Sequence, residues 1–234
     1  VIAVGIITAP RPRPTLAQSF ESYEKAGFEG PTHIFAEPGS QDVPMATSVK
    51  VHRNPERLGN FRNWARALSQ LLMVNEAWLM VCEDDIRWAR GARDVLENDL
   101  YRWQRKDDDI GAISLYLPIR MSKVIETTYG VPLMRGWYPL NLGRKTWGAQ
   151  CLVLRRTWAE MLLQDQVLLD LLADPSKDKN VDAHVAEALS RRGRSIMWRV
   201  PCLVDHAFGD GNSSLGYSPD RPQLKTKYFK ETAR

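Results

Sequence analysis

Three carboxylates stand side by side at Glu83, Asp84 and Asp85, directly after the unbroken apolar run 78–82. Like charges this close repel, and burying them unpaired at the end of a core segment is costly. A divalent cation that takes oxygen ligands, Mg²⁺ or Mn²⁺, relieves that repulsion. The competing reading is a solvated acidic turn where a strand leaves the core. A second cluster lies upstream, where Arg57, Asn60 and Asn63, with Arg62 and Arg66, gather at the start of a helical pattern. Free N–H groups and the macrodipole at such a terminus attract phosphate, although capping by Asn60 beside solvated arginines accounts for part of the pattern. Glu37 closes another apolar run, where it either accepts from a ribose or base or simply ends a strand.

These groups need elements to position them. The run 78–82 is too short for a helix and reads as a strand buried on both faces. Residues 1–7 form another apolar strand, broken by Thr8-Ala-Pro-Arg-Pro-Arg-Pro, whose prolines enforce an extended loop. Thr15 is placed to cap a helix through about Ala26. Strands follow at 32–36 and 48–52, then a helix at 65–74 with Leu68, Leu71 and Leu72 on its apolar stripe. After the acidic turn come a helix to about Gln104 and a strand at 110–117. Residues 118–147 show no regular periodicity and are dense in Pro, Gly, aromatic and basic residues, as functional irregular segments are. A strand at 151–154, a helix at 157–172, a polar loop at 177–180, a helix from Val181 and a strand region at 194–204 complete the pattern. The alternation predicts an α/β fold with a central, mostly parallel sheet flanked by helices. One domain over 1–216 and a polar, basic, loosely packed tail over 217–234 are expected.

Composition sets the limits. With 234 residues, 44% hydrophobic and 26% charged, the chain has enough apolar material for a sizeable core. No apolar run approaches bilayer length and no signal peptide opens the chain, so no membrane association is expected. Cys82, Cys151 and Cys202 all sit in apolar contexts without close Cys/His spacing, which predicts buried thiols and a cytoplasmic, reducing location. The net charge is +4, and from Ala186 onward nine Lys/Arg face five Asp/Glu, so the whole surplus lies there. That invites an anionic partner, a nucleotide or a nucleic acid, unless it is a solvated basic face.

The order of motifs resembles the GT-A glycosyltransferases, nucleotide-sugar enzymes with a Rossmann-like sheet. The pieces are Val4-Gly-Ile-Ile-Thr-Ala-Pro-Arg-Pro, Leu58-Gly-Asn-Phe-Arg-Asn-Trp, Cys82-Glu-Asp-Asp, Trp147-Gly-Ala-Gln-Cys-Leu-Val-Leu, Val181-Asp-Ala-His-Val-Ala-Glu-Ala-Leu and Val204-Asp-His. The resemblance spans roughly residues 1–216 through short, degenerate motifs. It implies a metal-dependent transfer of a sugar from a nucleoside-diphosphate sugar to an acceptor hydroxyl. Asp85 matches the metal-binding end of the family's Asp-X-Asp motif, with Glu83, a departure from that motif, and Asp84 toward ribose, sugar or metal-bound water. His206 stands where many members supply a histidine to the same Mn²⁺ or Mg²⁺. Thr8, Ala9, Arg11 and Glu37 would surround the nucleoside, Arg57, Asn60 and Asn63 the ribose or pyrophosphate, and Trp147 and Gly148 the sugar and acceptor.

Such chemistry needs a base within reach of the acceptor hydroxyl. Asp182 at a helix start is the leading candidate, matching the base of inverting members, and His184 is the reserve; an N-terminal acid favoured by the helix dipole is the plain alternative. The acceptors open at this point are a glycan or polysaccharide and, since certain phage enzymes of this kind glycosylate modified bases, a hydroxymethylated base in DNA. A rival class is a non-catalytic nucleic-acid module using the basic and aromatic residues of 118–147 and 186–234. A nucleotidyltransferase is disfavoured because no Gly-X-Gly-X-X-Arg pattern follows the first strand.

Overall fold

The computed structural model describes residues 2–41, 43–44, 47–104, 110–146, 148–174, 180–206, 226 and 228–233. Strand β1 (Ile2–Thr8) leads through the proline-rich loop to helix α1 (Leu16–Lys25), then β2 (Thr32–Ala36) and β3 (Val49–Arg53). Next come α2 (Asn60–Leu71), β4 (Trp78–Glu83), β5 (Arg87–Trp88), α3 (Ala92–Gln104), β6 (Ile110–Ser114), α4 (Ile119–Tyr129) and β7 (Gly136–Leu140). A 3₁₀ turn at Gly143–Lys145 precedes β8 (Cys151–Arg155), α5 (Arg156–Leu163), α6 (Gln166–Ala173), α7 (Val181–Ser190), β9 (Ser195–Val200) and β10 (Val204–Asp205).

Eight strands form one sheet in the order β3-β2-β1-β4-β8-β6-β9-β7, and β5 and β10 form a separate ribbon. The fold is α/β, with helices flanking the sheet. Pairings from β3 through β4 are parallel, β8 runs against both β4 and β6, β9 is parallel to β6, and β7 runs against β9. The sheet is therefore mixed, although six of its eight strands point one way. Alternate residues of each central strand feed two cores, as a pleat requires. Leu79 and Val81 of β4 pack with α2, α5 and α7, while Trp78, Met80 and Cys82 pack with α1 and α3. Burial on both faces is why β4 reads as a continuous apolar run.

Several elements differ from expectation. Residues 118–146 are not irregular throughout: α4 begins after Pro118 and ends at Gly130, a left-handed residue at φ 67°, and β7 forms the sheet edge. Met121, Ser122 and Ile125 face the core from α4, a spacing obscured by the polar residues around them. The helix expected at 157–172 is two, because the Asp165 side chain accepts the Leu168 N–H and starts α6 afresh. Helix α2 starts at Asn60, five residues earlier than the apolar stripe suggests. Thr15 occupies the first position before α1, but its hydroxyl makes no cap. Cys82, Cys151 and Cys202 are free and buried, as expected. Among the described residues no helix is long and apolar enough to cross a membrane.

Of the segment expected as a tail, residues 228–233 pack on the fold, and 217–225 lie outside the described residues. Cys202 N–H donates to Tyr228 O at 3.2 Å, Arg90 N–H to Glu231 O at 2.7 Å, and Ala233 N–H to Arg90 O at 2.8 Å. Phe229 packs against both cores. A polar sequence reads as a tail, yet one aromatic ring and these backbone bonds dock residues 228–233.

Candidate functional site

The chain runs from β1 to β2 and β3 on one side and returns to the other side of β1 at β4. That reversal is a topological switch point at the carboxyl ends of β1 and β4, the position where open α/β sheets take ligands. Thr8 ends β1 and Glu83 ends β4, so the three carboxylates fall at this switch point.

Their surroundings divide them. Asp84 is 2% exposed and accepts from Thr8 Oγ1 at 2.5 Å and from Arg11 Nε and Nη2 at 3.0 and 2.7 Å. Arg11 reaches further, placing Nη1 2.9 Å from Asp85 Oδ2. The same Oδ2 lies 3.0 Å from His206 Nε2. Asp85 Oδ1 is buried and has no hydrogen-bond partner among the described residues. Glu83 is half-buried, and its Oε1 accepts from the Asn60 side-chain amide at 3.1 Å. Its backbone N–H donates to Gln150 O at 2.8 Å. One ligand atom each from Glu83, Asp85 and His206 lie within 4.8 Å of one another, so this group can hold a metal ion.

No protein-family model matches the chain, and neither does any curated protein.

The electrostatics carry the strain of an acidic cluster cut off from water. Burial raises the Glu83 carboxyl to about 7, Asp85 adds repulsion, and His206, Arg11 and the Asn60 amide offset only part of this. Burial likewise raises Asp84 despite Arg11 and Thr8. Burial also pushes Asp85 up, but His206 and Arg11 outweigh it and hold this carboxyl well below the usual range. His206 is the counterpart: burial lowers it, yet Asp85 and Glu83 raise it to about 9.

A cation taking both Glu83 and His206 must displace the protons they hold. Apparent Mn²⁺ affinity is therefore expected to fall as pH drops, by about tenfold per unit between 9 and 7 and more steeply below 7, where two protons compete. Titration calorimetry across pH 6 to ~9.5 reads this directly. Affinity that does not change over that range would remove His206 and Glu83 from the ligand set.

Glu37 is 2% exposed, and its carboxylate accepts from Leu58 N–H at 2.9 Å and Gly59 N–H at 3.0 Å, anchoring the chain as it enters α2. Gly59 precedes that helix at φ 80°, a conformation suited to glycine. Asn60 does not cap the helix; its amide turns to Glu83. Asn63 is buried between α2 and β2, donating to Phe35 O at 3.1 Å and accepting from Asn54, whose oxygen in turn takes Arg66. Arg62 donates to Leu172 O, and Arg57 is exposed. Ala9 is half-buried in the loop after β1. His184 is buried with its ring 5.4 Å from that of Phe61. Arg191 and Arg192, two residues of the basic C-terminal part, both pair with Asp165, at 2.7 and 2.6 Å. Trp147, Lys225 and the loop 177–179 lie outside the described residues.

Asp182 opens α7, with Oδ2 accepting the Gly148 N–H at 3.1 Å and Oδ1 the Ala183 N–H at 3.0 Å. Gly148 is two residues from Gln150, whose carbonyl binds Glu83, so the short segment 148–150 links Asp182 to the acidic cluster. This role of Gln150 was not foreseen; it follows from the β4–β8 register, Cys82 opposite Cys151, which no local pattern encodes. Gly148 has φ 130°, and a Cβ there would lie 2.9 Å from Ser114 Oγ and 3.2 Å from Tyr116 O. Gly148→Ala is expected to cost about 1–3 kcal/mol from the backbone conformation and close contact. That is a fall in Tm of roughly 3–10 °C for a domain of this size. A melting temperature unchanged to within about a degree would show that the approach is not tight.

Proposed function

We propose that this chain is a metal-dependent glycosyltransferase that moves a sugar from a nucleoside-diphosphate sugar to an acceptor hydroxyl. The observation that carries this reading is the convergence of Glu83, Asp85 and His206 at the carboxyl ends of β1 and β4, with a buried Asp85 oxygen that has no hydrogen-bond partner among the described residues. Two carboxylates and one imidazole suit Mn²⁺ better than Mg²⁺, which favours oxygen alone. Held there, a divalent cation supplies Lewis-acid stabilisation of the charge that develops on a departing diphosphate.

The chain's own residues do the rest. Asn60 orients Glu83, while Thr8 and Arg11 hold Asp84 and fix the loop after β1 beside the cluster. Arg11 also neutralises part of the cluster, which keeps three carboxylates compatible with burial. Asp182 opens α7 beside Gly148, and its carboxylate is the group assigned to take a proton from the acceptor hydroxyl. Asp182 serving as base with no protein nucleophile predicts inversion at the anomeric carbon.

A thermal-shift panel of nucleotide sugars with Mn²⁺ or with excess chelator tests the reading. One donor class is expected to raise Tm by about 5–10 °C at a hundredfold excess over its Kd, and only with the metal present. No donor shifting Tm, or a shift that survives chelation, would overturn it.

A further inference from the structure

His206 reaches Asp85 because of a ribbon outside the main sheet. Strand β10 runs antiparallel to β5, with Val204 opposite Trp88 and Asp205 opposite Arg87. Asp85 lies two residues before Arg87 and His206 one residue after Asp205, so this register brings the imidazole to the carboxylate. Two residues per strand make a weak pairing on their own. The C-terminal segment supplies what the ribbon lacks. Residue 229 bridges to Cys202 ahead of β10, and residue 232 bridges to Arg90 beyond β5. The hydrogen bonds from Cys202 and Arg90 to this segment therefore tie both strands to one piece of chain. Across the top, the Arg87 guanidinium sits 5.1 Å from the centre of the Phe229 ring and 3.5 Å from both Asp205 and Glu231.

We infer that residues 228–233 are a clasp that holds His206 in register with Asp85, making Phe229 and Arg87 positioning residues for the metal group. The inference rests on the metal reading above, and it adds a dependence that no ligand residue explains. Without the clasp the β5–β10 pairing loosens, and the imidazole must be ordered at the moment a cation binds. Ordering a segment on binding weakens affinity without removing any ligand.

The test measures Mn²⁺ binding by electron paramagnetic resonance, together with the imidazole-nitrogen coupling to the bound ion. Wild type is expected to show the coupling and His206→Ala to lose it. Phe229→Ala is expected to bind Mn²⁺ about tenfold more weakly with a diminished coupling, and Phe229→Tyr, which keeps the ring, to restore both. Ala233→Pro removes the hydrogen bond to Arg90 O while Phe229 stays in place, and is expected to weaken binding about threefold. Unchanged affinity and coupling in Phe229→Ala and Ala233→Pro would overturn the clasp while leaving the metal reading intact. A wild-type protein that binds no Mn²⁺ would overturn the metal reading and the clasp with it.

Discussion

Under the proposed function, Asp85→Asn is expected to abolish tight Mn²⁺ binding and to lower transferase activity at least ~100-fold. Asp85 is the shared member of the site: one oxygen meets both Arg11 and His206, and the other is buried without a hydrogen-bond partner among the described residues. Asparagine keeps the shape but removes the charge, and either orientation is unfavourable. With its NH₂ toward Arg11 and His206, donor faces donor; with its NH₂ at the orphaned position, a poor ligand faces the cation. The loss of charge also strips His206 of its largest support, so its imidazolium becomes less stable. The apo protein should lose some stability, about 1–3 kcal/mol, because a buried donor is left unsatisfied. Measuring Mn²⁺ affinity and Tm together separates this cost from the loss of a ligand. A variant that binds Mn²⁺ and turns over normally, or a wild-type enzyme fully active in excess chelator, would sink the assignment.

Asp182→Asn carries the second large effect, a fall in kcat of ~10²–10⁴ with donor affinity little changed, since a base acts only in the chemical step. The geometry adds a consequence that local sequence does not suggest. An asparagine is tolerated near a helix start, but here both carboxylate oxygens accept backbone N–H groups, from Gly148 and Ala183. An amide can accept from only one of them and must turn its NH₂ toward the other. About 1–3 kcal/mol of local stability should therefore go with the activity. The two effects separate in the pH profile of kcat: loss of a base removes its acidic limb, whereas local loosening leaves the limb in place. Product stereochemistry read by NMR completes the test. Retention of the anomeric configuration, or near-normal kcat in the variant, would exclude Asp182 as the base.

Much of the frame was legible without coordinates, for a physical reason. Strands buried on both faces are continuous apolar runs, so β2 was read residue for residue and β4 to within one. The adjacency of Glu83, Asp84 and Asp85 at the end of β4 marked the site because three like charges at a buried strand end demand compensation wherever the chain folds. Helix α4 was missed although Pro118 and Gly130 bound it, because its buried stripe is short and set among polar residues.

What supplies the compensation was decided by the tertiary structure. Arg11 is 73 residues from Asp84 and His206 is 121 from Asp85, and only the parallel pairing of β1 with β4 and the β5–β10 ribbon bring them together. Glu37 had the chemistry to bind a ribose and Asn63 to bind a phosphate, yet both are engaged in fastening α2 to β2. Residue type limits what a side chain can donate or accept, and local sequence carries the burial pattern. Which donor meets which acceptor is a matter of strand order and register, set by long-range packing that no short window of sequence contains.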